Sequence, residues 1–248
     1  MDAVQLMNEL LRAGDRASLF DAGRLVFGGK ARHHEQIIEV LKPYITESRL
    51  RRINEVVEGR TRTVVPVIEG LANTGNVSAV IRTAEALGYQ DLHVVIREKP
   101  YKHSRRTTQG AQKWLDIRVW DRPETCARAL KEKGYHIVAM HLDEDAVPID
   151  SIDFTKPVAL VFGNERDGLT PEMVRLADQT CIIPMSGFMQ SFNISVAAGV
   201  SLYHARQDRI DRQGFHGDLS EAERAHLRAV YCMLSVKSSD AILRRAFE

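Results

Sequence analysis

The sequence predicts an α/β domain built on a mostly parallel sheet with helices on both faces, extended by helical segments at its N- and C-terminal ends. Three observations carry this prediction. Between about residues 63 and 205, short apolar runs of strand length alternate with segments of helical periodicity, the pattern of successive βαβ units. The chain has 248 residues, 44% hydrophobic and 27% charged, which suits one such core with appendages or two small domains. Residues before 46 and after 205 lack the alternation and read as helices.

Residues 1–45 form the N-terminal helical extension. Val4–Leu11 has mixed helical spacing, Gly23, Gly28 and Gly29 interrupt, and a second stretch at about 34–42 sets Ile37, Ile38 and Leu41 on one side before Pro43 stops it. This is too little chain for a substantial core, so it is expected to lie against something else. Residues 46–62 read as a basic helix. Leu50, Ile53 and Val57 make one apolar stripe, Thr46 or Ser48 can cap the start, and Gly59 can end it. Arg49, Arg51 and Arg52 take the remaining faces, and Arg60 and Arg62 extend the charge. Such a surface is either a solvated face or a phosphate-contacting arm.

In the alternating region, 63–205, strands are expected at Thr63–Ile68, Leu92–Ile96, Ile117–Trp120, His136–Met140, Val158–Phe162 and Thr180–Ile183. Helices are expected between them at about 76–87, 123–133, 171–177 and 191–205. The last segment, 206–248, is a charged helical extension. Ser220-Glu221-Ala222-Glu223 starts a helix in capping-box fashion, with Leu227, Val230, Tyr231 and Leu234 on one face.

Composition excludes several classes. No run of about 18 apolar residues occurs, so no transmembrane helix is expected. The opening Met1-Asp2-Ala3 lacks a secretory layout, which points to the cytoplasm. Cys126, Cys181 and Cys232 are far apart, and with scattered histidines they give no metal-ligand spacing; buried thiols are expected and no metal. With a net charge of only +1, a nucleic-acid partner must be held by local basic patches.

Three segments exceed what a plain sheet needs. Asn73-Thr74-Gly75-Asn76 makes a tight strand-to-helix turn whose backbone N–H groups can face an anion. In the helix that follows, Val77, Val80, Ile81, Ala84 and Leu87 form the buried side, while Ser78, Arg82 and Glu85 fall opposite. Second, the apolar strand Ala159–Phe162 runs into Gly163-Asn164-Glu165, and a helix begins at Thr170-Pro171. Gly163 permits close ligand approach at the C-terminal end of a strand, where open α/β sheets bind ligands. This is neither a dinucleotide fingerprint nor a phosphate loop, which removes an oxidoreductase or NTPase reading. Third, Ile182-Ile183-Pro184-Met185-Ser186-Gly187 leads through Ser191 and Asn193 into a helix apolar on nearly every side, which must be enclosed.

In order and spacing, these segments resemble the three motifs of the SpoU/TrmH branch of the SPOUT superfamily, the RNA 2'-O-ribose methyltransferases, over roughly residues 49–205. The resemblance implies a deep trefoil knot in the C-terminal part of the domain and a homodimer through the all-apolar helix. It implies S-adenosylmethionine held by Phe162, Gly163, Asn164, Ile182, Ile183, Met185, Gly187, Ser191 and Asn193. Catalytic roles fall on Arg82, Asn76, Glu165, Ser191 and Asn193. A guanidinium with a pKa above about 12 is a poor base. Arg82 is therefore read as binding the neighbouring phosphate and stabilising the developing 2'-oxyanion, with the proton leaving to phosphate or water.

The stretch Arg97–Lys113 interleaves Lys102, Arg105, Arg106 and Lys113 with Tyr101, and Trp114 follows, which suits phosphate contact and base stacking. Together with Arg49, Arg51, Arg52, Arg60 and Arg62 these are the expected RNA-binding residues. The flanking helical segments best resemble the tRNA-modifying type that acts on guanosine-18 of the D-loop. The alternatives are an rRNA substrate or a non-catalytic knotted RNA-binding protein.

Overall fold

The computed structural model describes residues 24–27, 30–70, 73–97, 105–164, 166–189 and 191–247. A hairpin of β1 (Arg24–Phe27) and β2 (Lys30–His33) precedes α1 (His34–Leu41) and α2 (Glu47–Glu58). The alternating region follows as β3 (Val64–Glu69), α3 (Thr74–Leu87), β4 (Asp91–Val95), α4 (Arg105–Thr108), β5 (Asp116–Trp120), α5 (Pro123–Glu132), β6 (His136–Met140), β7 (Val147–Pro148), β8 (Val158–Phe162), α6 (Pro171–Leu176), β9 (Gln179–Ile182) and α7 (Ile194–Gln213). Helices α8 (Glu221–Ser235) and α9 (Ser239–Phe247) come last. The chain divides into two compact units, one of residues 61–216 and one of residues 1–60 with 217–248.

In the first of these units the sheet runs β5–β4–β3–β8–β6–β9–β7, and every neighbouring pair is parallel. Parallel strands covered on both faces need apolar residues at consecutive positions, and Val64–Glu69 and Val158–Phe162 are buried throughout. The two-residue period sorts them. Val64, Ile68, Leu160 and Phe162 join α3 and α7 in one core layer; Val65, Val67, Ala159 and Val161 join α5 and α6 in the other. The chain lays β3, β4 and β5 outward in one direction and then returns to build β6 on the other side, with β8 between β3 and β6.

Helix α3 starts at Thr74 because Asn73 caps it, its side-chain oxygen accepting the Gly75 N–H at 2.8 Å. Val77, Val80, Ile81 and Ala84 are buried as their spacing requires. Ser78 departs from the expected polar face: it is fully buried, and its hydroxyl donates to the Thr74 carbonyl at 2.6 Å, so burial leaves it bonded. Helix α7 continues well past residue 205, the expected domain edge, to Gly214 in the left-handed region at φ 86°.

The terminal extensions, expected as separate pieces, form one unit. Helix α8 packs on α1 and α2, and α9 packs on α1. Ile37, Leu41, Ile53, Val57, Leu227, Tyr231 and Leu243 are all buried. Thr46 caps α2 and Gly59 ends it; Ser220 and Glu223 complete the capping box of α8. The expectation of helices alone before residue 46 is corrected by the β1–β2 hairpin, in which Phe27 pairs with Lys30. A Gly-Gly dipeptide between two short β-capable runs is itself a hairpin signal. The helix expected at Val4–Leu11 lies outside the described residues.

Candidate methyl-donor and RNA site

A cavity of about 510 Å³ opens at the C-terminal ends of β6, β8 and β9. Its walls are Met140–Leu142 after β6, Phe162–Asn164, Gly168 and Leu169 around the loop after β8, and Ile182, Ile183, Met185 and Gly187 after β9. Ser191, Phe192, Ile194 and Ala197 close it at the start of α7. Its volume and its mixture of apolar side chains with exposed backbone match small-molecule sites, which lie at this edge of open parallel sheets.

The loop after β8 is held from within. The Asn164 side-chain oxygen accepts the N–H groups of Arg166 and Asp167 at 2.9 and 2.8 Å, and the Gly168 N–H returns to the Asn164 carbonyl at 3.0 Å. The hydrogen bond from Arg166, reinforced by its charge, holds the Asp167 carboxyl below its usual range. Gly163 is obligatory: a Cβ there would fall inside the backbone of Gly168 and Leu169. Cys181 also lines the cavity, and burial, with Asp150 adding to it, pushes its thiol up to about 12, so it stays protonated and unreactive.

Of the nine expected donor-binding residues, eight line this cavity: Phe162, Gly163, Asn164, Ile182, Ile183, Met185, Gly187 and Ser191. Asn193 instead caps α7, its side-chain oxygen accepting the Ser195 N–H at 2.8 Å and hydroxyl at 2.6 Å. Asn76 and Arg82 are not in the cavity wall. Arg82 is exposed on α3 and makes no hydrogen bond or ion pair with a described residue. Glu165 lies outside the described residues.

The expected RNA contacts separate by environment. Arg51 and Arg52 project from α2 into solvent beside Glu47 and Glu55, and Arg49 donates to the Ser235 hydroxyl at 3.3 Å. Arg60 is fully buried, its guanidinium 6.0 Å from the centre of the Tyr231 ring. Arg62 donates to Asp91 at 2.5 Å and to Asp116 at 2.6 Å. These two guanidiniums serve the fold, contrary to the phosphate-facing expectation. Lys113 stands 4.4 Å from the centre of the Trp114 ring, within a 3-10 turn, Ala111–Trp114, that replaces the expected loop. Lys102 and the side chains of Arg105 and Arg106 are outside the description.

No group of three or more His, Cys, Asp or Glu gathers as a metal site among the described residues, and none of their helices is long and apolar enough to cross a membrane. One outward face carries apolar side chains: Phe188, Met189 and Phe192 precede Val196, Val200 and Tyr203, which fall at i, i+4 and i+7 along α7. The expectation that this helix is enclosed on all sides is not met within a single chain.

A profile of the SpoU rRNA Methylase family matches residues 63–203, which contain the sheet, the cavity and Arg82. The chain belongs to this SpoU family. Among curated relatives, a tRNA (guanosine(18)-2'-O)-methyltransferase of Aquifex aeolicus is 38% identical over 187 residues, 74% of this chain and 88% of that one. A 23S rRNA (guanosine-2'-O-)-methyltransferase of Acinetobacter baylyi is 31% identical over 181 residues, 71% and 72% of the two chains. Among solved SpoU structures, the A. aeolicus TrmH/SpoU tRNA modifying enzyme superposes with a TM-score of 0.70 at 37% identity, covering 77% of this chain and 98% of that one. The SpoU methyltransferase AviRb from Streptomyces viridochromogenes, in complex with AdoMet, gives 0.54 at 28% identity over 62% of each chain.

Proposed function

We propose that this protein transfers the methyl group of S-adenosylmethionine to a ribose 2'-hydroxyl of tRNA, at guanosine-18 of the D-loop, in the cytoplasm. The observation that carries the proposal is the cavity at the ends of β6, β8 and β9, lined by the second and third motif segments. When bound, the donor supplies an electrophilic methyl carbon next to a sulfonium. Phe162, Leu169, Ile182 and Ile183 offer apolar walls that exclude water from its flat base, and the backbone around Gly163 and Gly187 offers close polar contact. Orientation is the main demand of an in-line displacement. A loop pinned by the packing of Gly163 on Gly168 and Leu169 meets it without paying for ordering at each turnover.

The role of Arg82 is to bind the phosphate beside the target ribose and stabilise negative charge on the 2'-oxygen. The 2'-hydroxyl proton leaves to phosphate or water. Arg82 is not in its own chain's cavity wall, yet its helix packs beside α7, whose outer face is apolar and exposed. In this reading a homodimer forms through that face and brings Arg82 to a second copy's cavity. The strand order, with β8 inserted between β3 and β6 and β9 between β6 and β7, supports a chain threaded as a trefoil knot. Arg49, Arg51, Arg52, Lys102, Arg105, Arg106 and Lys113 are the RNA contacts in this reading. The likeness to tRNA enzymes, over most of their length, supports tRNA as substrate.

The test is methyl transfer from labelled S-adenosylmethionine to an unmodified tRNA transcript, with the product mapped by nuclease digestion. Label in a 2'-O-methylguanosine of the D-loop, absent with Arg82→Ala, is the expected result. Label appearing only in ribosomal RNA would move the substrate to the class of the Acinetobacter relative.

A further inference from the structure

Glu69 ends β3 in a fully buried position, where a carboxylate is costly unless its oxygens are bonded. Both are. One accepts the Thr170 N–H at 2.8 Å and the other accepts the Thr170 hydroxyl at 2.6 Å. The Thr170 oxygen in turn accepts the Met173 N–H at 3.1 Å as the cap of α6. Thr170 is the exit of the loop that begins at Gly163, and Ile68 pairs with Phe162 on the neighbouring strand. A single acid therefore fixes one end of the loop, while the packing of Gly163 on Gly168 and Leu169 fixes the other. The next residue, Gly70, sits at φ 77°; a Cβ there would come within 2.8 Å of the Asn164 amide nitrogen and 2.9 Å of Arg97 Cδ. Neither Glu69 nor Gly70 lines the cavity, but Asn164, Gly168 and Leu169, which the two confine, do.

We propose that Glu69 is a positioning residue for methyl-donor binding, acting through Thr170 to hold the Gly163–Leu169 loop in its cavity-lining shape. This rests on the cavity being the donor site. A carboxylate accepts both Thr170 donors at once. A glutamine in its place keeps the volume and one acceptor oxygen, but its N–H₂ cannot accept from the hydroxyl, so the charge-assisted bond from that hydroxyl is lost. The loop then gains alternative conformations, and the donor must select the competent one, which lowers apparent affinity in proportion.

The experiment measures binding of S-adenosylhomocysteine by titration calorimetry, under conditions where circular dichroism shows each variant folded. Glu69→Gln and Thr170→Val are each expected to weaken binding about tenfold, the loss of one charge-assisted bond. Thr170→Ser keeps both donors and is expected to bind as wild type. The double variant Glu69→Gln/Thr170→Val is expected to be no weaker than the worse single one, because both remove the same Glu69–hydroxyl bond and the α6 cap is lost with Thr170→Val alone. RNA affinity by filter binding should not move, which separates loop positioning from general loosening. Wild-type affinity in folded Glu69→Gln, or additive losses in the double variant, would overturn the proposal. If Glu69→Gln does not fold, Thr170→Val against Thr170→Ser decides on the same readout. The cavity assignment is tested separately with Ile183→Trp, which should block donor binding. Unchanged binding there would remove the site itself and leave the Glu69–Thr170 contact a matter of folding alone.

Discussion

Arg62 and Arg82 stand on the same unit in opposite circumstances. At the start of β4 and β5, Asp91 and Asp116 face each other in register, two like charges that would repel across the strands. Arg62 lies between them with a bond to each, and all three are largely withdrawn from water. Burial alone would push the Asp91 carboxyl up, but the charge of Arg62, helped by His93, holds it below its usual range. Arg82, on α3, is exposed and lacks any such partner among the described residues. A guanidinium has five donors to satisfy, and a structural one is recognised by having them met inside the protein. The one whose donors stay open is the one to assign to a ligand.

The largest effect is expected at Arg82. Arg82→Ala should lower kcat about 100-fold or more while leaving the unfolding midpoint near wild type, the signature of a lost transition-state contact. If the arginine serves a second copy's cavity, mixing Arg82→Ala with Ile183→Trp after co-refolding should restore activity that neither has alone. No recovery would confine each active site to one chain. Arg62→Ala should do the reverse: it strands two buried carboxylates and should cost about 3 kcal/mol of stability in urea unfolding, with kcat per folded molecule unchanged.

A pH effect follows from the same paired region. His93 is buried beside Cys126 and Asp91, and desolvation lowers its pKa to about 4, against an attraction to Asp91 that raises it. The unfolded chain therefore takes up a proton that the folded chain refuses. Stability is complete above about 6.5 and is lost as pH falls from there toward about 4. Thermal melts should show that decline, and His93→Gln should flatten it. Asp91, held low, adds its own loss further down the scale. The smallest effect is chemical. Burial pushes the thiols of Cys126 and Cys181 up to about 12 and that of Cys232 to about 11, so iodoacetamide should label none of them until the protein is unfolded.

The middle of the sheet was readable from the sequence because strands such as β8 are contiguous apolar runs. Val158–Phe162 has the same ends in the structure as in the pattern, and the turn read at Asn73–Asn76 is where the helix begins. The cavity was readable only through the motif resemblance: nothing in the periodicity brings Ile183 to Gly163. Charge partners were not readable. Arg60 and Arg62 have the same local signature as Arg51 and Arg52, and only three-dimensional neighbours separate a buried guanidinium from a solvated one. Glu69 gave no signal because its partner is 101 residues away. The two-residue strand β7 is too short for any period to show, and the β1–β2 hairpin was hidden by glycines read as breaks in helices.

The strand order also sets a timetable. β3 is central, yet one of its two neighbours, β8, is more than ninety residues downstream, with Val64 waiting for Val158. At synthesis rates of about 5–20 residues per second, that edge of β3 stands open for roughly 5–20 s on the ribosome. The cavity wall begins at Met140 and is complete only at Ala197, so a nascent chain has no closed cavity until Ala197 has been made. Until β8 arrives the chain is an unfinished sheet, dependent on whatever shields a bare strand edge in the cell.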